Sequence, residues 1–106
     1  MGSSAIRSSH SEGIMKPRIT VNLDANGDFE IWINEEGRDL LVQELQRLNK
    51  GNEHFHLGPD KITSDIQVST RPYRPDDKIL EYGKVLFRPD EWDKQYYPHV
   101  FDPKSY

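Results

Sequence analysis

Residues 34–57 read NEEGRDLLVQELQRLNKGNEHFHL, and they decide the fold because an amphipathic helix runs there straight into a short strand. Leu41, Leu45 and Leu48 fall at i, i+4 and i+7 with Leu40 beside them, while Arg38, Asp39, Gln43, Glu44, Gln46 and Arg47 take the other positions. The spacing predicts a helix over 35–49 with one oily side. Asn34 suits the N-cap, Glu35 and Glu36 sit at the positive end of the helix dipole, and Lys50 and Gly51 suit the far end. Gly37 is the one blemish, worth about 1 kcal/mol against alanine in a helix interior. A helix this short is marginal in water, so its leucine face needs a sheet to cover. His54-Phe55-His56-Leu57 is the first strand after it, stopped by Gly58-Pro59.

Upstream, the pattern has period two. Ile19, Val21 and Leu23 alternate with polar residues, and Phe29, Ile31 and Ile33 alternate with Glu30 and Trp32. This is a β-hairpin whose register follows from its faces. A two-residue Asn26-Gly27 loop would pair Leu23 with Glu30 and set apolar against polar. A three-residue loop, Ala25-Asn26-Gly27, pairs Leu23 with Phe29, Val21 with Ile31 and Ile19 with Ile33, as a type I turn followed by a left-handed glycine bulge at Gly27. Trp32 then points away from the core.

Downstream, 60–65 reads as loop and 66–70 as a short alternating strand ended by Pro72 and Pro75. Lys78 to Phe87 reads as one late strand with a bulge at Gly83. Glu91 to Tyr106 carries five aromatic rings among prolines without a period. The expected fold is α+β: a small, mainly antiparallel sheet of four to five strands, ββαβ(β)β, with one amphipathic helix packed on one face. A single domain over 15–92 is expected, followed by a partly packed tail over 93–106. Residues 1–14, MGSSAIRSSHSEGI, are Ser/Gly-rich and read as a disordered leader resembling a vector-derived one, with Met15 as the natural start.

A chain of 106 residues with 34% apolar content supports one modest core. It has no cysteine, which removes disulfides, thiolate chemistry and cysteine-ligated zinc. Fourteen basic and eighteen acidic side chains leave a net charge of -4, so neither nucleic acid nor membrane is an expected partner. No apolar run approaches a membrane span, and a cytoplasmic location is expected.

Few constellations suggest chemistry. Residues 24–35 place oxygen ligands like a calcium loop, but Phe29 stands where that loop needs glycine and belongs to a strand. His54 and His56 share one strand face, the spacing needed to share a metal, with no local third donor. The paired carboxylates Glu35-Glu36, Asp76-Asp77 and Asp90-Glu91 fit caps and turns. No nucleophile elbow, phosphate loop or dinucleotide fingerprint is present, so the chain is not expected to be an enzyme, and no cofactor or metal is expected.

Phe29-Glu30-Ile31-Trp32-Ile33, then Gly37-Arg38-Asp39-Leu40-Leu41 opening the helix, then Gly51-Asn52-Glu53-His54-Phe55-His56-Leu57 and a strand closing on Phe87-Arg88-Pro89-Asp90 resemble immunity protein family 32 of bacterial polymorphic toxin systems. The likeness spans roughly residues 17–92 and lies mostly in the order of elements. It implies a cofactor-free α+β protein that binds and neutralises a cognate toxin domain by steric occlusion. Aromatic anchors would fill a desolvated centre, with acidic groups at the rim. The candidate partner-binding residues are Trp32, His54, His56, Tyr73, Trp92, Tyr96 and Tyr97. Two other readings stand beside it. One is a metal- or small-molecule-binding protein using His54 and His56; the other is a module that self-associates, as a weak homodimer, through a sheet edge.

Overall fold

The computed structural model describes residues 16–102, so the expected leader at 1–14 lies outside the described residues. Six short strands and two helices follow in the order β1 (Ile19–Leu23), β2 (Phe29–Ile33), α1 (Glu35–Gln46), β3 (His54–Gly58), β4 (Ile66–Gln67), β5 (Lys78–Ile79), β6 (Gly83–Leu86) and α2 (Asp90–Tyr96), with a 3-10 turn at Pro98–Phe101. The strands form two three-stranded sheets, β2-β1-β5 and β4-β3-β6. The fold is α+β, as expected, and every pairing is antiparallel except β3 with β4.

The β1–β2 hairpin has the register derived from its faces, with Ile19 opposite Ile33, Val21 opposite Ile31 and Leu23 opposite Phe29. Gly27 adopts φ +85°, its N–H donates to Asp24 O at 2.9 Å, and Asp24 Oδ1 accepts from the N–H groups of Asn26 and Asp28, each at 2.9 Å. Asp24 is therefore occupied as turn hardware. The left-handed φ is the one that favours glycine.

Helix α1 begins where expected. Asn34 Oδ1 accepts from Gly37 N at 2.7 Å and from Arg18 N at 2.9 Å, so one side chain caps the helix and ties it to the start of β1. Gly37 is a packing requirement rather than a blemish. It is buried, and a Cβ built there would lie 2.5 Å from Arg18 O and 3.0 Å from Ile19 Cγ1. The helix stops at Gln46, earlier than residue 49. The carbonyl of Arg47 accepts from the side chain of Asn52, and Asn49 and Asn52 exchange backbone hydrogen bonds, so the helix has already ended and Lys50 and Gly51 form the tip of a turn closed by the two asparagines.

The late strand is two strands. Lys78–Ile79 pairs with β1 and Gly83–Leu86 pairs with β3, so Leu80 to Tyr82 cross from one sheet to the other, and this raises the strand total to six. The parallel pairing of β3 and β4 is the one exception within the mainly antiparallel arrangement expected. It extends over only two residues, Leu57 with Ile66 and Gly58 with Gln67, so the excursion over 59–65 suffices where a longer ladder needs a full crossover. Over residues 90–101 the chain forms α2 and the 3-10 turn, and α2 crosses residue 92; the end of the expected tail, 103–106, lies outside the described residues. Arg88 Nε donates to Asp93 Oδ1 at 3.0 Å across its first turn.

Just past β4, Ser69 N donates to Ile19 O at 2.7 Å and ties that segment to β1. Ile19, Phe55, Ile66 and Val68 are buried together there, and Leu40, Leu41 and Leu48 of the helix side pack on them with Val21, Leu57 and Val85. The leucine face thus covers the apolar side of the strands, but Leu45 remains 46% exposed.

Candidate functional site

Parity along each ladder sorts the candidate residues into separate places. On β1 and β2, Thr20, Asn22, Glu30 and Trp32 share the face opposite Ile19 and Ile31, and the chain at 71–77 folds across it. Tyr73 stacks on Trp32 with ring centroids 4.1 Å apart and an interplanar angle of 11°. The Arg74 guanidinium stands 5.2 Å from the Trp32 ring, and its Nε donates to Asp77 Oδ1 at 3.0 Å while Nη2 pairs with Glu30. The bonds to Asp77, and more weakly the charge of Glu30, hold the guanidinium pKa above its usual value. Arg18 Nε donates to the Tyr73 hydroxyl at 3.3 Å. The result is a plate of two flat rings edged by two arginines, on the sheet face that also carries the buried Thr20 and Asn22. Trp32 is half-buried beneath Tyr73, which is itself exposed.

His54 and His56 lie on the outward face of β3 beside Leu86 and Lys84 of β6. Their rings meet edge to face at 4.8 Å. Asp65 is the nearest carboxylate, with Oδ2 at 3.8 Å from His56 Nδ1, yet that oxygen already accepts the His56 backbone N–H at 2.7 Å. Among the described residues no group of three or more His, Asp or Glu side chains is placed to hold a metal ion.

Trp92, Tyr96 and Tyr97 gather at α2 around Arg88, whose guanidinium lies 5.6 Å from the Trp92 ring and 5.3 Å from that of Tyr97. A cleft of about 340 Å³ opens there between Glu53, Arg88, Trp92 and Tyr96. The seven candidates therefore do not form one surface. Trp32 with Tyr73 makes one site, His54 with His56 a second, and the α2 rings a third.

Sequence reasoning missed a fourth surface. Phe29, Ile31 and Ile33 point to the core side of β2 as expected but are 59%, 47% and 42% exposed, because β2 is an edge strand and α1 does not reach over it. Phe29 and Ile31 border a cleft of about 210 Å³ shared with Val21, Leu41, Tyr82 and Val85. Another cleft, of about 550 Å³, is lined by Lys16, Arg18, Lys61 and Asp65 among others. The arginines were also missed, although Arg71-Pro72-Tyr73-Arg74-Pro75 carries the signal: prolines that restrict a loop, flanking a ring and a guanidinium.

No helix among the described residues is long and apolar enough to cross a membrane. Comparison of the chain with family models, with curated proteins and with solved structures finds no match.

Proposed function

We propose that this chain is an immunity-type protein of the cytoplasm, one that binds a cognate bacterial toxin domain and blocks it by occlusion rather than by catalysis. The observation that carries this reading is the Trp32–Tyr73 plate with Arg74 clamped beside it by Asp77 and Glu30. Tryptophan, tyrosine and arginine are the residue types that dominate binding energy at protein interfaces, and they do so best when held in place before the partner arrives. Here the rings are stacked and the guanidinium is paired, so little side-chain freedom remains to be lost on docking. The net charge of -4 favours a basic toxin surface. The resemblance to immunity protein family 32 supplies the class of partner.

The test is binding to the toxin domain encoded beside the gene, measured by calorimetry, together with rescue of growth on co-expression. Tyr73→Ala, at an exposed position, is expected to keep the fold and weaken binding by roughly 30-fold or more, about 2 kcal/mol. Unchanged affinity in Tyr73→Ala, or no binding of the neighbouring product by the natural chain, removes the reading.

A further inference from the structure

The free edge of β2 carries a pattern that points to its own occupant. Arg18 O accepts from Asn34 N and Asp28 O from Asp24 N, so in the β1–β2 ladder the even-numbered pairs carry the hydrogen bonds. Antiparallel ladders alternate, and the N–H and C=O groups of Phe29, Ile31 and Ile33 are therefore turned away from β1. The same three residues have half-exposed apolar side chains. Backbone valence and apolar surface are left open together on one strand.

The apolar surface continues from β2 onto α1. Leu41 lines the cleft with Phe29 and Ile31, whereas Leu40 lines the cleft on the other side of the helix. Leu45, one turn beyond Leu41, and Val42 next to it carry the helix's apolar stripe outward from the Leu41 side, and both are exposed.

We propose that β2 pairs antiparallel with β2 of a second copy of this chain about a two-fold axis at Ile31. In that register Ile31 faces the partner's Ile31 and Phe29 faces the partner's Ile33. Three register pairs, each exchanging two backbone hydrogen bonds, use every open group on Phe29, Ile31 and Ile33. The charge pattern fits a second copy. Glu30, the one charged residue of β2, falls opposite the partner's Trp32 and not opposite its own counterpart, and it is already paired with Arg74. No like charges meet along the strand. The α1 flanks carrying Val42 and Leu45 lie on the same side of the joined sheet, and the two-fold brings them toward each other.

The experiment is mass in solution by light scattering combined with amide hydrogen exchange by NMR on the full chain. The pairing predicts twice the mass of one chain. It also predicts amide protons at Phe29, Ile31 and Ile33 protected as strongly as those of Glu30 and Trp32, which bond to β1 in either state. On dilution the three should lose protection while the other two keep it. Ile31→Lys sets two ammonium groups against each other on the axis and should give a folded monomer with the three amides unprotected. If that variant fails to fold, the dilution series on the natural chain still decides. A monomeric mass at NMR concentration overturns the proposal. So does a dimer whose three amides exchange freely, which pairs through another surface. So does a monomer whose three amides become protected only on adding a toxin domain, which assigns the edge to that partner instead.

Discussion

Strands β2 and β6 border the same apolar cleft, and both are outer strands of their sheets, yet they are built differently. On β6 the bond from Phe87 N to Glu53 O sets the odd-numbered pairs as the bonded ones, so the outward backbone groups belong to Lys84 and Leu86. A lysine in a four-residue strand, with a glycine before it and Arg88-Pro89 soon after, is how natural sheets discourage further pairing. Strand β2 has five residues, no lysine, no proline and three apolar side chains over its open groups. One edge is guarded and the other is not. The other two outer strands, β4 and β5, are two residues each and too short to template a partner, so β2 is the one long open edge among the described residues. Two such edges would allow open-ended growth, whereas one, self-complementary about a two-fold, closes at a dimer.

The largest effect that separates the two regions is the cost of removing a phenylalanine from each. Phe55, on the central strand β3 beside β6, is 3% exposed and packs with Ile19, Ile66 and Val68, whereas Phe29 at the β2 edge is 59% exposed. Phe55→Ala should cost about 3–5 kcal/mol in urea unfolding. Phe29→Ala should cost about 1 kcal/mol or less at protein concentrations low enough to keep the chain monomeric. Equal costs would mean that β2 is as well covered as the core, and the contrast between the edges would vanish.

The next effect tests what fixes the β1–β2 hairpin, through the start of β1, against α1. In an exposed helix Gly→Ala gains about 1 kcal/mol, and on spacing alone Gly37→Ala should stabilise. The close approach of Arg18 O reverses the sign, since neither that carbonyl nor the Asn34 cap has room to withdraw without breaking the link between β1 and the helix. Gly37→Ala should destabilise by about 1–3 kcal/mol, read as a lower denaturant midpoint. A gain in stability would show that the helix start is loose and that β1, and with it the hairpin, is free to shift relative to α1.

What was legible in the sequence were the local rules. The hairpin register, the glycine of its turn and the Asn34 cap each follow from residues within a few positions, where face alternation and capping chemistry leave one solution. What was not legible depends on contacts between distant segments. Lys78 to Phe87 keeps its strand pattern throughout, and nothing local says that its halves serve different sheets; that follows from Leu80 N donating to Val21 O while Gly83 pairs with Leu57. Alternation placed Ile31 on the core side correctly but could not give its burial, because exposure at a sheet edge depends on where α1 stops covering the strand. For the candidate binding residues, the sequence marks Trp32 and Tyr73 only singly, as aromatics outside the core pattern. Their stacking is a tertiary fact, as is the clamping of Arg74, and the separation of the histidines and the α2 rings from them has the same origin.

The smallest effect lies in the turn that joins β3 to β4 and so supports the guarded half. Asp60 Oδ1 accepts from Ile62 N and Thr63 N, each at 2.9 Å, and its carboxylate also accepts from the Thr63 hydroxyl. These bonds, with Thr63 the main source, favour the charged form and hold the carboxyl below the usual aspartate value. Because the folded chain binds this proton less readily than the unfolded chain, the contribution is full above the unfolded pKa and is lost as pH falls through the folded one. Asp60→Asn keeps an acceptor oxygen but no charge, so it should be slightly less stable than the natural chain at neutral pH. The difference should shrink on acidification through the carboxylate range, as followed by thermal melts. A difference that grows on acidification would mean that the turn is tightened by protonation, and a carboxylate capping backbone N–H groups cannot do that.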